Sequence, residues 1–99
     1  MQSDQSNHVK RSARRVDVDT RSRLRHGAFR QTEVQLANLS FGGFCARCQL
    51  ELVRGDFVSI DLPDIGLVRA QVAWCHDGMM GGAFFSPVDI RRSSATAAA

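Results

Sequence analysis

The chain has 99 residues, of which 43% are hydrophobic, and this length predicts one small domain with a real core and excludes two domains. It contains no run of about 18 apolar residues that could span a bilayer, and its polar start lacks the apolar region of an export signal, so we expect a cytoplasmic protein without membrane insertion. The net charge of +3 is uneven, because residues 1–30 carry eight basic and three acidic side chains whereas residues 31–99 carry five and seven.

The elements predicted along the chain are strands. Residues 1–9 and 89–99 are polar or small and lack periodicity, so we expect a disordered N-terminal tail and a flexible C-terminal tail around a domain of residues 10–88. Between the tails, apolar and polar residues alternate with period two, which is typical of half-buried strands. Turn residues interrupt this alternation at 26–29, 53–56, 63–66 and 76–82. The predicted strands are 16–25, 32–36, 44–48, 57–62, 68–74 and 83–85.

Six short strands separated by turns, with no convincing helix, predict an all-β fold, namely a six-stranded antiparallel β-barrel. The residues just ahead of the first strand belong to no predicted element, and we expect them to form a flexible N-terminal arm. One domain of this kind implies one principal site.

The cysteines and histidines do not predict a metal site. Cys45 and Cys48 form a CxxC pair, and Cys75 with His76 resembles the other half of a zinc site. On strands, however, residues that are adjacent or three apart point to opposite faces, so these four side chains could not converge on one ion. We expect reduced thiols that behave as small apolar residues, and solvated side chains for His26 and His76 in their turns.

No catalytic arrangement is visible in the sequence. Asp17 and Asp19 share a predicted strand face with three arginines, which indicates solvated ion pairs rather than carboxylates with raised pKa values. Ser40 has no histidine near it in the chain. We therefore expect a protein that is not an enzyme and that carries no cofactor.

Two polar segments form a candidate binding site. In KRSARRV, Arg11 and Arg15 lie four residues apart, and a guanidinium group pairs bidentately with phosphate or a guanine edge and stacks on flat rings. In ANLSFGGF, residues 37–44, Asn38, Ser40 and a glycine pair stand where a sheet would favour apolar or β-branched residues. This composition fits an anionic, planar partner. The alternatives are that KRSARRV is a nonspecific basic tail and that ANLSFGGF is a plain turn.

Read together, the two segments resemble the ligand motifs of the PilZ domain family, which are an RxxxR arm and a D/NxSxxG segment after the second strand. RSARR (11–15) matches the first motif, and NLSFGG (38–43) matches the second. VAW (72–74) and GGAFFSP (81–87) are also similar to the family, so the resemblance extends from residue 11 to about residue 87.

The resemblance implies a bacterial receptor for the second messenger cyclic di-GMP. It implies that binding orders the arm and signals to a partner protein in trans. Asn38 stands where many relatives have Asp, and a neutral amide lacks the charge assistance that a carboxylate gives to guanine N–H groups. The Ser40 hydroxyl would bind a phosphate or a base, and Gly43 would let the backbone approach the ligand or adopt a positive φ. The implied ligand contacts are Arg11, Arg15, Asn38, Ser40 and Gly43, with Arg14 and Gly42 as additional contacts.

Two other functions stay open at this level. One is a PilZ-like adaptor that acts through protein contacts without a nucleotide, and the intact motifs count against it. The other is a small barrel that binds RNA or single-stranded DNA through its arginines. Such barrels stack bases on exposed aromatic side chains, and this chain has no tyrosine. The sequence does not predict the ligand stoichiometry, the oligomeric state or the downstream partner.

Overall fold

The computed structural model describes residues 15–97 as a closed barrel of six strands. All strand pairings are antiparallel, and the order around the barrel is β1-β2-β3-β6-β5-β4. The predicted all-β fold and the six-stranded antiparallel barrel are thereby confirmed. The predicted arm and the tail of residues 1–9 lie outside the described residues. The strands are β1 (Val16–His26), β2 (Arg30–Leu39), β3 (Gly43–Cys48), β4 (Phe57–Leu62), β5 (Gly66–His76) and β6 (Met79–Phe84).

The core consists of the side chains that the alternation turns inward. Fully burying a large aliphatic side chain stabilises a fold by about 1.5–3 kcal/mol, so a few such positions dominate the stability of a barrel this small. Phe44 and Phe84 add an aromatic pair with ring centroids 5.8 Å apart. The fully buried positions include Leu24, Leu36, Leu39, Ile60, Leu62 and Met80.

The β1–β2 hairpin is the longest unit of the barrel. Its strands pair from Val16 with Leu39 to His26 with Arg30. Among the described residues, β1 pairs with β4 at two positions, Leu24↔Ile60 and Arg25↔Ser59, and these pairs form the closing seam of the barrel. A ten-residue strand is about 33 Å long, so the turn of this hairpin lies far from its open end at Val16 and Leu39.

The predicted turn over residues 76–82 is wrong in its extent. The chain reverses at Asp77 and Gly78, whose φ angles of 54° and 78° are those of a tight two-residue hairpin turn, and β6 begins at Met79. The glycines Gly81 and Gly82 thus lie inside a strand. Sequence reasoning assigns such a Gly-rich run to a loop because glycine weakens strands in general.

Aromatic rings on both faces of β6 explain these two glycines. A Cβ built at Gly82 would overlap the ring of Phe44 inside the barrel. A Cβ built at Gly81 would overlap the indole of Trp74 on the outer face. The missing side chains leave the space that the two rings occupy.

The chain after β6 packs back onto the barrel. It forms a 3₁₀ helix (Ile90–Arg92) and a short α-helix, α1 (Ser94–Ala97). Ile90 is buried in the core, and the Ser94 N–H donates to Asp64 Oδ2 at 2.9 Å. Hydrogen bonds from Ser94 lower the pKa of the Asp64 carboxyl.

These two short helices differ from the expectation of no convincing helix, while the flexibility expected of residues 89–99 stays a prediction. A four-residue helix has no periodicity to detect, and Asp64 lies 30 residues earlier in the chain than the amide it accepts from. No helix among residues 15–97 is long and apolar enough to cross a membrane.

We predict that Gly82→Ala lowers the free energy of unfolding by about 1–3 kcal/mol, because the added methyl group would force the Phe44 ring out of its place against Phe84. Urea denaturation followed by circular dichroism measures this loss. Adding Phe44→Leu to the same variant removes the clashing ring, so the second substitution should cost less in the Gly82→Ala background than in the wild-type chain. Unchanged stability of Gly82→Ala would contradict the packing described here.

Candidate functional site

A cleft of about 380 Å³ lies on the outer wall of the barrel, where β2 ends and β3 begins. Segments distant in the chain meet there: the residue preceding β1, the β2–β3 connection, the end of β5 and the middle of β6. Among the predicted site residues, the structure brings together Arg15, Asn38, Ser40, Gly42 and Gly43. Arg11 and Arg14 lie outside the described residues. The other lining residues are Phe44, Ala73, Trp74, Gly81, Gly82 and Ala83.

The β2–β3 connection is a tight turn that Ser40 closes. The Ser40 N–H donates to the Gly43 carbonyl at 2.9 Å, and the Gly43 N–H donates to Ser40 Oγ at 3.1 Å. The Ser40 side chain is buried, and its hydroxyl lies 3.3 Å from the same Gly43 carbonyl. Ser40 thus fixes the shape of the turn that borders the cleft, a role that the sequence analysis does not include.

Gly43 is required for close approach of two strands. The φ angle of Gly43 is not positive, so a positive φ, which was one of the two roles predicted for this glycine, is wrong. A Cβ at Gly43 would strike the backbone carbonyl of Gly82 on the neighbouring strand β6. Because backbone atoms cannot move aside as a flexible side chain can, this position accepts glycine alone without a shift of the β3–β6 pairing.

The C-terminal segment fixes the same turn from outside. The Val88 N–H donates to the Phe41 carbonyl at 2.9 Å, and the Phe84 N–H donates to the Gly42 carbonyl at 2.9 Å. The Arg91 guanidinium lies 5.9 Å from the centroid of the Phe41 ring and is oriented by Asp89, whose Oδ1 accepts from Arg91 Nε at 2.8 Å. This salt bridge lowers the pKa of Asp89 and raises that of Arg91.

Trp74 is the site residue that sequence reasoning missed. An irregularity in the β5–β6 pairing between Val72 and Trp74 places Trp74 opposite Gly81, which in turn pairs with Cys45 of β3. The indole lies across Gly81 and forms one wall of the cleft, with 40% of the residue exposed. The sequence carried no signal for this contact, because the turn predicted over residues 76–82 hid the strand position of Gly81, where glycine often marks a close approach by another group.

The walls of the cleft combine one cation with small or aromatic residues. Arg15 is exposed and is the one charged residue among the described residues that line the cleft. Ala73, Gly81 and Ala83 add little bulk, so the floor beside the Trp74 indole is shallow and open. Such a surface can receive a flat ring system, and a guanidinium at its border can pair with an anionic group of the same ligand.

No cysteine or histidine side chain of the described residues lines the cleft. No group of three or more His, Cys, Asp or Glu side chains within residues 15–97 is arranged to hold a metal ion. Burial raises the pKa of the Cys48 thiol. The expectation of a solvated His26 is wrong, because His26 ends β1 half-buried with Nε2 3.3 Å from Asp56 Oδ2, whereas His76 is largely exposed beside Asp77.

Comparison with known proteins identifies the family. The chain matches the model of the PilZ domain over residues 9–96, and no curated protein matches it. Among solved structures it is similar to the PlzA protein of Borreliella burgdorferi in complex with c-di-GMP, with a TM-score of 0.67 and 10% sequence identity. The similar region covers 92% of this chain and 41% of PlzA, and at this identity it shows a shared fold. Since the family match spans most of its length, this chain belongs to the PilZ domain family.

Proposed function

We propose that this protein is a receptor for cyclic di-GMP that binds the dinucleotide in the cleft beside Trp74. Binding would order the N-terminal arm over the ligand and signal to a partner protein in trans, without catalysis. The proposed contacts are Arg11, Arg15, Asn38, Ser40 and Gly43, with Arg14 and Gly42 as additional contacts.

One observation carries the proposal. Arg15, the last residue of the RxxxR segment, lines the same cleft as Asn38, Ser40 and Gly43 of the NxSxxG segment, although more than 20 residues separate the two segments. Two motifs that are weak on their own thus contribute to one surface. Membership of the PilZ family and the likeness to a c-di-GMP complex support the same ligand.

The chemistry of the cleft suits this ligand. Cyclic di-GMP carries two phosphate charges and two guanines, so it combines anions with flat rings. The Arg15 guanidinium lines the cleft and would pair with a phosphate or with the O6 and N7 atoms of guanine. The Trp74 indole offers a face on which a base can stack, and the Asn38 amide can meet a guanine edge.

The arm would complete the site from the open side. Arg11 precedes Arg15 by four residues, which is close enough for both guanidinium groups to contact one ligand. Ser40 would act mainly by holding the turn, with its remaining lone pair available to the ligand. An arm that gains order on binding changes the shape and charge of the barrel surface, and this change is the proposed signal.

We predict that Arg15→Ala and Arg11→Ala each weaken cyclic di-GMP binding by about 1–3 kcal/mol, because each removes a charge-assisted contact to phosphate or guanine. Isothermal titration calorimetry on the purified chain measures the change. Arg54→Ala is the matched control, since Arg54 is exposed and does not line the cleft, and it should bind like the wild-type chain. Absence of binding by the wild-type chain would exclude the proposal and favour the nucleotide-independent adaptor.

A second prediction concerns the chain's single tryptophan. Addition of cyclic di-GMP should quench the fluorescence of Trp74, and Trp74→Ala should weaken binding by about 1–3 kcal/mol, because the ligand loses its stacking surface. Phe57→Ala removes an exposed aromatic side chain outside the cleft and should leave the affinity unchanged. If Trp74→Ala binds as tightly as Phe57→Ala, stacking on the indole does not contribute to recognition.

A further inference from the structure

The tip of the β1–β2 hairpin carries a surface that the proposed cleft does not use. We define the hairpin tip as residues 27–29, which connect β1 to β2 at the end opposite Arg15 and Ser40. Phe29 is 98% exposed there, more than any other large hydrophobic residue among those that the structure describes. It follows Gly27 and Ala28, which are also exposed, so the tip consists of three consecutive residues without a polar side chain.

Three arginine side chains lie behind this apolar end. Arg25 and Arg30 flank the tip on the two strands, and together with residues 27–29 and Gln31 they line a shallow depression of about 420 Å³. Arg23 is exposed one alternation further along β1. The positively charged side chains therefore lie one or two residue lengths behind Phe29, on both strands.

Acidic and basic side chains are divided along β1, and two acidic side chains from other segments, Asp56 and Asp61, lie beside its basic half. Asp17 and Asp19 lie at the other end of β1. Glu33 lies 3.9 Å from Arg21, and Asp56 contacts His26 at 3.3 Å. The charge along β1 thus changes from acidic near the cleft to basic near the tip.

We propose that the hairpin tip docks on an anionic phospholipid surface, with Phe29 among the headgroups and Arg25 and Arg30 on lipid phosphates. An aromatic ring at the apex supplies apolar burial at the interface, and cations set just behind it meet the anionic headgroup layer. The contact is peripheral and reversible, because one ring and a few charges do not anchor a protein permanently. It crosses no bilayer and so differs from membrane insertion.

The arrangement favours a lipid surface over a nucleic acid. Proteins that hold single strands stack successive bases on several aromatic side chains along a groove. At the tip Phe29 is the single aromatic residue, and it projects from a turn rather than lying in a groove. A projecting ring with cations behind it matches the layered chemistry of a bilayer interface, which is apolar beneath an anionic plane.

Vesicle co-sedimentation of the full chain tests the proposal. The probes are vesicles of equal phosphatidylcholine and phosphatidylglycerol, and vesicles of phosphatidylcholine alone. The wild-type chain should bind the anionic vesicles and release them at high salt, and it should bind the neutral vesicles far less. Phe29→Ala should reduce the partition coefficient about tenfold. Arg25→Gln with Arg30→Gln should reduce it about 25-fold, since each cation near the surface contributes about fivefold.

Matched controls separate the tip from general charge and apolar effects. Phe57→Ala removes another exposed ring, and Arg47→Gln with Arg54→Gln removes two other exposed cations; all these chains retain the basic arm. These controls should bind anionic vesicles like the wild-type chain, and thermal unfolding should show that the tip variants remain folded. Cyclic di-GMP titration of the tip variants should be unchanged, which keeps this test independent of the cleft.

Several outcomes would overturn the proposal. Failure of the wild-type chain to bind anionic vesicles would do so, as would equal losses in the tip variants and in the controls. Equal binding to neutral vesicles would show that lipid charge plays no part. Binding of a single-stranded RNA oligonucleotide that depends on Phe29 and Arg30, with no vesicle binding, would assign the tip to nucleic acid instead.

Discussion

The barrel and its cleft both depend on two adjacent residues without side chains. Gly82 gives the Phe44 ring its place in the core, and Gly81 gives the Trp74 indole its place on the outer face. A single stretch of β6 backbone therefore lies between two aromatic rings, one that stabilises the fold and one that shapes the cleft. Gly43 extends the constraint to β3, because it lies against the Gly82 carbonyl. A larger side chain at any of these three positions would displace an aromatic ring or shift the β3–β6 pairing.

The turn between β2 and β3 is held from two directions. Ser40 closes it from within. The end of β6 secures it through the Gly42 carbonyl, and the segment after β6 secures it through the Phe41 carbonyl. The stacking of Arg91 over Phe41 adds a contact whose geometry Asp89 maintains. A ligand in the cleft thus meets a turn whose conformation is already set, which reduces the entropy lost on binding. The same contacts connect the cleft to the C-terminal helices.

Period-two alternation predicted the barrel and located five strands well, because inward positions such as Leu24 and Ile60 are set by local pattern, but it found only the end of β6. That Arg15, Asn38 and Ser40 lie on one surface was expected from the resemblance of their motifs to the family. What the sequence could not reveal were long-range relations. The packing of Trp74 over Gly81 depends on a β5–β6 irregularity, and α1 depends on Asp64, which is distant in the chain. His26 was misjudged because its partner Asp56 lies on another turn.

The closing seam between β1 and β4 has a dynamic consequence. Local opening of a barrel begins where the fewest backbone hydrogen bonds must break, and in the described structure β1 and β4 pair at two positions. Both pairs lie in the second half of β1, so the first half of this strand is held by its pairing with β2. Arg15 directly precedes this first half, so the part of β1 next to the cleft is the part with one paired neighbour among the described strands. Because the seam lies near the hairpin tip, opening there would leave the cleft at the other end of β1 intact.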